Sequence, residues 1–295
     1  MRRPRLHVPG GCYHVTLRGN HSRDIFFTAD DRRCLEDYVA TALAQVGARI
    51  HAYCWMTNHI HLLVQVADTP LGAFMQRIAS RYARAVQERV PTTGHLFQNR
   101  YHALLVDVDR YFLALLRYIH LNPVRAGLAA DPADYGWSSH RAYLGLASCD
   151  WLETGFGLRM FGADVAVARS RYLAFVAQGI GAPRDPRLMA PARGESRVLG
   201  DGEFLRAVMA RTGSTVAPIP ALDDIAAEVC AELGVTLVEL RSSGQARRLT
   251  RARGVLTARA LAGGAARLGE VSRYLNRSAS ALARAAERYR GWTER

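Results

Sequence analysis

The sequence contains no lysine: all 39 of its basic residues are arginine, against 26 Asp and Glu, for a net charge of +13. It has no run of about 18 apolar residues, and no apolar segment follows Met1-Arg2-Arg3-Pro4-Arg5, which excludes a helical membrane span and a secretory signal and predicts a cytoplasmic protein. The five cysteines, Cys12, Cys34, Cys54, Cys149 and Cys230, form no Cys-x-x-Cys pair, so a zinc clip or a dithiol redox couple is excluded and buried, reduced thiols are expected. Histidine is missing beyond His140, which assigns any metal or proton chemistry to the N-terminal part of the chain. What is present, 49% apolar and 22% charged residues, is the composition of an ordinary globular protein. Residues 241 to 295 hold 13 Arg and 3 Glu, a net +10, and such a basic block points to nucleic acid.

The pattern along the chain predicts an α+β protein. Residues 12 to 18 read as a strand ending at the Gly19-Asn20 turn, and Thr28 can cap a helix over Asp30 to Gln45 that Gly47 stops. Arg49 to Trp55 and His59 to Val66 read as a hairpin joined by Met56-Thr57-Asn58. Pro70 opens a second helix with apolar positions from Leu71 to Val86, closing near Val90-Pro91, and residues 100 to 106 give a fourth strand. A third helix, Arg110 to Leu121, is predicted behind a cap at Asp109 and ends before Pro123. The order β-α-β-β-α-β-α matches a ferredoxin-like split βαβ sheet with one helix added beside it. Three regions follow: 1–145 as the sheet domain, 146–220 as an extension and linker with a helical piece around Val165 to Ala177 and a Pro/Gly-rich stretch from Gly179 to Gly194, and 221–295 as a basic, all-helical domain. Within the last, Ala266 to Leu275 and a helix capped by Ser278 make a helix-turn-helix pattern, whose second helix carries Arg284, Arg288 and Arg290 for phosphate or base contacts.

His59-Ile60-His61 lies on a predicted strand, so both imidazoles project from one face. Two neighbouring histidines make half a metal site. Tyr118 and Asn122, four residues apart on the third helix, share one helical face and can converge on them. Three neutral ligands, His59, His61 and Asn122, suit one Mg²⁺ or Mn²⁺ with positions open for a phosphate oxygen. A tyrosine beside a polarised phosphate is then a candidate nucleophile, since a free phenol, with a pKa of about 10, needs that help at neutral pH. Tyr101 and Tyr111 compete for the role, but neither is followed four residues later by an amide. Arg18, Arg77, Arg81, Arg84 and Arg100 are candidates for a groove tracking single-stranded phosphates, with Tyr82 or Phe97 as a stacking surface.

Three segments, Met56-Thr57-Asn58-His59-Ile60-His61-Leu62-Leu63-Val64, Gly94-His95-Leu96-Phe97-Gln98-Asn99-Arg100-Tyr101 and Tyr118-Ile119-His120-Leu121-Asn122-Pro123-Val124-Arg125-Ala126-Gly127-Leu128, together resemble the REP-associated tyrosine transposases. These are single-tyrosine HUH transposases, which cut and rejoin single-stranded DNA near hairpins. The resemblance spans roughly residues 5 to 145. It implies that His59 and His61 are the metal ligands, that Tyr118 forms a 5′-phosphotyrosine and frees a 3′-hydroxyl, and that Asn122, where many relatives carry glutamine, completes the metal shell, with His120 as a fallback. The C-terminal block more loosely resembles the DNA-binding domain of the replication initiator DnaA, which implies duplex binding. A chain that keeps only hairpin recognition and has lost cleavage is the alternative.

Overall fold

The computed structural model describes residues 6–90, 94–189, 195, 197–213 and 220–289. The described residues divide into two compact units, the first reaching from residue 6 to 189 and taking in 197–204, the second formed by the described residues from 205 onward together with residue 195.

In the first unit, β1 (Cys12–Arg18) leads to α1 (Ala29–Val46), the hairpin β2 (Arg49–Trp55) and β3 (His59–Gln65), α2 (Leu71–Arg89), β4 (His102–Val106) and α3 (Val108–His120). The local rules that set these limits are visible in the contacts. Thr28 Oγ1 accepts from the Asp31 amide while the Asp31 carboxylate accepts from the Thr28 amide, a reciprocal cap. Gly47 ends α1 with φ of 67°, which the absence of a side chain permits. Pro70 precedes α2 as expected, while Pro91 lies outside the described residues.

The sheet order is β2-β3-β1-β4-β5, and the first four strands pair antiparallel, which is the ferredoxin-like arrangement. Sequence predicts four strands, whereas the structure has a fifth, β5 (Val198–Leu199), parallel to β4. It is too short to show periodicity; backbone bonds from Leu105 N to Arg197 O and from Asp107 N to Leu199 O, both 2.8 Å, hold it at the edge. A second correction concerns α3, which begins at Val108 behind Asp107, so Asp109 lies inside the first turn rather than at the cap. β4 runs almost directly into the helix, leaving no room for a later start.

The strands alternate their side chains between two layers. Trp55 points to one, where its indole donates to Glu36 of α1, and α1 packs on α2. Cys12, Ala52, Cys54, Leu63, Leu104 and Val106 point to the other, against Phe112, Leu115, Leu116 and Ile119 of α3. Burying each of these large α3 side chains contributes roughly 1.5–3 kcal/mol. α3 therefore covers the second face of the sheet instead of lying beside it. After the short α4 (Asn122–Arg125), α5 (His140–Leu144), α6 (Gly155–Arg159) and α7 (Val165–Ala177) join the same core through Tyr143, Leu158, Ala168, Tyr172 and Val176. The first unit thus continues well past residue 145, and α8 (Gly202–Thr212) lies in the stretch 146–220 read from sequence as extension and linker, beyond its Pro/Gly-rich part.

The second unit has its core in α9 (Leu222–Leu233), α10 (Leu237–Arg241), α11 (Arg247–Ala262), α12 (Leu268–Leu275) and α13 (Ala279–Arg288). α11 is central and buries nine of its residues. Gly254 permits the close crossing with α13, because a Cβ there would lie 2.8 Å from the Ala285 carbonyl oxygen. Arg253 is 6% exposed and donates to the carbonyls of Glu239, Leu240, Ser242 and Gly244, so this arginine closes the turn before α11 and is not a surface charge. α12 and α13 are joined through Asn276, at φ of 53°, and Ser278, whose hydroxyl accepts from the Ala281 amide. Arg284 and Arg288 are exposed one turn apart on α13; Arg290 lies outside the described residues.

Candidate metal and nucleophile site

The register of β1 on β3 sets Arg18 opposite His59 and Thr16 opposite His61. Ile60, between the histidines, is 1% exposed on the opposite layer, so both imidazoles share the face covered by α3. Their Nε2 atoms face one another at 3.1 Å. Asn58 settles the protonation of the first ring: its Nδ2 donates to the Ser22 carbonyl at 3.0 Å, which leaves Oδ1 to accept from His59 Nδ1 at 2.7 Å. His59 Nδ1 must therefore carry the proton, and its Nε2 is a bare lone pair. The turn that presents the Ser22 carbonyl is strained, with φ of 50° at His21 and 57° at Ser22. On the other ring, Nδ1 of His61 lies 3.2 Å from His14 Nε2 and 3.4 Å from Thr16 Oγ1, which leaves Nε2 turned toward His59.

This pair fits a divalent ion. Two ligands each about 2.1 Å from one metal stand about 3 Å apart at a right angle, close to the observed separation of the imidazole nitrogens. Burial, with Arg18 nearby, pushes the His59 pKa down to about 4, and burial together with His14 and His59 holds His61 well below the ordinary histidine value. Both rings are neutral at neutral pH, the state a metal ligand requires. Among the described residues no group of three or more His, Cys, Asp or Glu is placed to hold a metal ion; His14, the nearest further imidazole, turns its Nε2 to His61 Nδ1.

Tyr118 is half-buried on α3, its ring edge-on to His61 at 5.5 Å and to His14 at 5.8 Å between centroids. The fold thus brings together His59, His61 and Tyr118. Asn122 is 6% exposed at the end of α3, and its Nδ2 donates back to the Tyr118 carbonyl at 2.8 Å. It makes no hydrogen bond to either histidine; its amide nitrogen serves the helix end, and only its carbonyl oxygen is left as a donor to a metal. Tyr101 is buried, and Tyr111 sits at the opposite end of α3 from the histidine pair.

His120 does not serve as a fallback ligand. It is fully buried, with Nε2 2.6 Å from Ser139 Oγ and Nδ1 2.7 Å from Tyr172 OH, and the same hydroxyl lies 2.5 Å from His140 Nδ1. The His140 Nε2 atom is buried without a partner, which fixes the direction of the chain of bonds. A bare lone pair is tolerated there better than a stranded N–H, so His140 Nδ1–H donates to Tyr172, whose O–H donates to His120, whose Nε2–H donates to Ser139. This network ties the end of α3 to α5 and α7.

Of the arginines singled out from sequence, Arg18 is beside His59. Arg77 and the pair Arg81 and Arg84 stand on α2, in the layer on the other side of the sheet; Arg77 donates to Gln45, and Arg81 and Arg84 line an open cleft with Tyr38. They do not reach Tyr118. Arg100 is exposed just before β4. Tyr82 is 1% exposed, its hydroxyl donating to the Ile25 carbonyl, so it is core and cannot stack on a base, whereas Phe97 is only half-buried. Sequence reasoning missed His14, Thr16 and Asn58. The first two share the histidine face by strand alternation, a signal that became usable only once the pairing register was known.

Residues 7–122 match the family model described as transposase IS200-like. The IS200-like stretch runs from just before β1 to the end of α3 and includes both histidines, Tyr118 and Asn122. The similarity to tyrosine transposases read from the three motifs is thus met by a transposase family over this part of the chain. A solved structure of a REP-associated tyrosine transposase bound to a REP hairpin is also similar, with 14% identity and a TM-score of 0.44 over 52% of this chain and 97% of that one. No curated protein matches the sequence. Among the described residues no helix is long and apolar enough to cross a membrane.

Proposed function

We propose that this chain is a transposase that cleaves and rejoins single-stranded DNA beside palindromic hairpins, with Tyr118 as nucleophile. The observation that carries this reading is the convergence of Tyr118 on the His59–His61 pair, inside the stretch that matches a transposase family. His59 and His61 would hold a divalent ion of the Mg²⁺ or Mn²⁺ class, with the carbonyl oxygen of Asn122 available as a further donor. Such an ion, when bound, polarises a phosphate and offsets the charge that develops on it. Asn58 keeps the His59 lone pair directed at that position, and His14 and Thr16 do the same for His61. Tyr118 Oη attacks the phosphorus, a 5′-phosphotyrosine forms and a 3′-hydroxyl leaves; attack by a DNA hydroxyl on the phosphotyrosine then rejoins the strand. The network of His120, Ser139, His140 and Tyr172 holds α3, and with it Tyr118, in register over the sheet. The basic helical unit adds duplex affinity through the exposed Arg284 and Arg288.

The test is incubation of the wild type and Tyr118→Phe with a labelled library of single-stranded palindromes in Mn²⁺ or Mg²⁺. A denaturant-resistant protein–DNA adduct is expected in the wild type and is lost in the variant and in EDTA. Tight hairpin binding with no adduct in either metal refutes the catalytic reading in favour of a hairpin-binding regulator.

A further inference from the structure

On the side of Tyr118 formed by the chain after α7, the structure builds a basic cleft whose far wall lies outside the sequence motifs. The Arg125 guanidinium lies 5.8 Å from the centroid of the Tyr118 ring, and one of its terminal nitrogens, Nη1, is buried without a hydrogen-bond partner. Both residues line this cleft with Arg117 of α3, and its far wall is the segment from Gln178 to Leu188. That wall is pressed onto the helix: a Cβ at Gly179 would lie 2.6 Å from Leu121 Cδ1 and 2.9 Å from Arg117 Cδ. Arg117 is occupied, lying 4.4 Å from the Phe175 ring centroid and donating to the Phe175 carbonyl. Asp185, the acidic residue of the lining, is held by Arg187 at 2.7 Å. Arg125 thus has no carboxylate partner among the described residues. Burial, with the charge of Arg184 next, holds the Arg125 pKa below the usual guanidinium value. Like charges gathered around a buried, unpartnered donor are relieved by an anion, and the planar guanidinium matches the paired oxygens of a phosphate diester.

We propose that Arg125 clamps the non-bridging oxygens of the scissile phosphate, and that the 178–188 segment, outside the IS200-like stretch, forms the wall of that phosphate pocket. The proposal rests on Tyr118 being the nucleophile. In the step it assists, the Oη–P bond forms as the P–O3′ bond breaks. The phenolic proton passes to water and the departing 3′-oxygen takes one from water, so charge is conserved while the clamp neutralises the pentacoordinate phosphorus.

Two measurements test it on the full chain. First, inorganic phosphate is titrated into protein labelled with ¹³C in its tyrosine rings, with the Tyr118 resonance assigned from Tyr118→Phe. A saturable shift of Tyr118 is expected, absent in Arg125→Ala and retained in Arg33→Ala, a control on the exposed surface of α1. No shift in the wild type, or the same shift in Arg125→Ala, overturns the proposal. Second, adduct formation is measured on the oligonucleotide trapped by the wild type, and on the same strand with a neutral methylphosphonate at the cleaved position. Arg125→Ala is expected to slow the normal strand on the order of 100-fold, with hairpin affinity within about twofold of the wild type, and to react like the wild type on the methylphosphonate, where there is no charge to clamp. An equal loss on both strands assigns Arg125 a purely structural role and overturns the clamp. Phosphate binding at Tyr118 without any adduct refutes the nucleophile reading and leaves the anion site standing, so the two failures are distinguishable.

Discussion

Replacing Tyr172 by phenylalanine removes one oxygen and leaves the ring volume of the core intact, so its effect reports on hydrogen bonding alone. That oxygen lies 2.7 Å from His120 Nδ1 and 2.5 Å from His140 Nδ1, and all three residues are fully buried. Two interior imidazole nitrogens lose their partner at once. Each buried polar group left unmatched costs about 1–3 kcal/mol, so the first unit should lose roughly 2–6 kcal/mol. Urea denaturation of the full chain followed by fluorescence measures this, with Tyr143→Phe as the comparison. Tyr143 donates a single bond, 2.9 Å to the His51 carbonyl, and its loss should cost about 1 kcal/mol. A Tyr172→Phe loss no larger than that of Tyr143→Phe refutes the two-histidine account. The same network predicts the sign of an acid effect. Burial pushes the His140 pKa down to about 4 and holds His120 well below its usual value, so both are neutral in the fold. Below a pH of about 6.5 the unfolded chain takes up protons that the folded chain does not, and the stability present at neutral pH is lost progressively as the pH falls toward 4, by up to about 1.4 kcal/mol per pH unit for each histidine.

Asn58→Ala removes the acceptor that fixes His59 Nδ1–H and should weaken Mn²⁺ binding 10- to 100-fold by calorimetry, while Asn58→Asp, which keeps an acceptor, should stay within about threefold; equal affinities in all three proteins would sink the positioning role. In the second unit, Arg284→Ala with Arg288→Ala should lower the slope of log affinity against log salt for duplex DNA by about 2, and an unchanged slope would remove α13 from the interface.

The parts of the fold and site that were legible in the sequence are those whose signal is local. Strand alternation put His59 and His61 on one face, and the caps at Thr28 and Ser278 marked helix starts that the structure retains. The parts that were not legible depend on pairing between distant residues. Val198 and Leu199 form a strand only because the edge of β4 is open to them. His120 lies in the same motif as Tyr118, and nothing within that motif tells a metal ligand from a core imidazole. The difference is made by Ser139, His140 and Tyr172, whose hydroxyl lies 52 residues further along the chain. Arg125 is the same case in reverse. Read alone it is one arginine among 39, and it becomes a candidate for chemistry because the chain after α7 returns to enclose Tyr118 while leaving its buried guanidinium nitrogen without a partner. The segment beyond the transposase match is therefore part of the candidate site's architecture: it anchors α3 from beneath through Tyr172 and bounds the cleft beside Tyr118 from Gln178 onward.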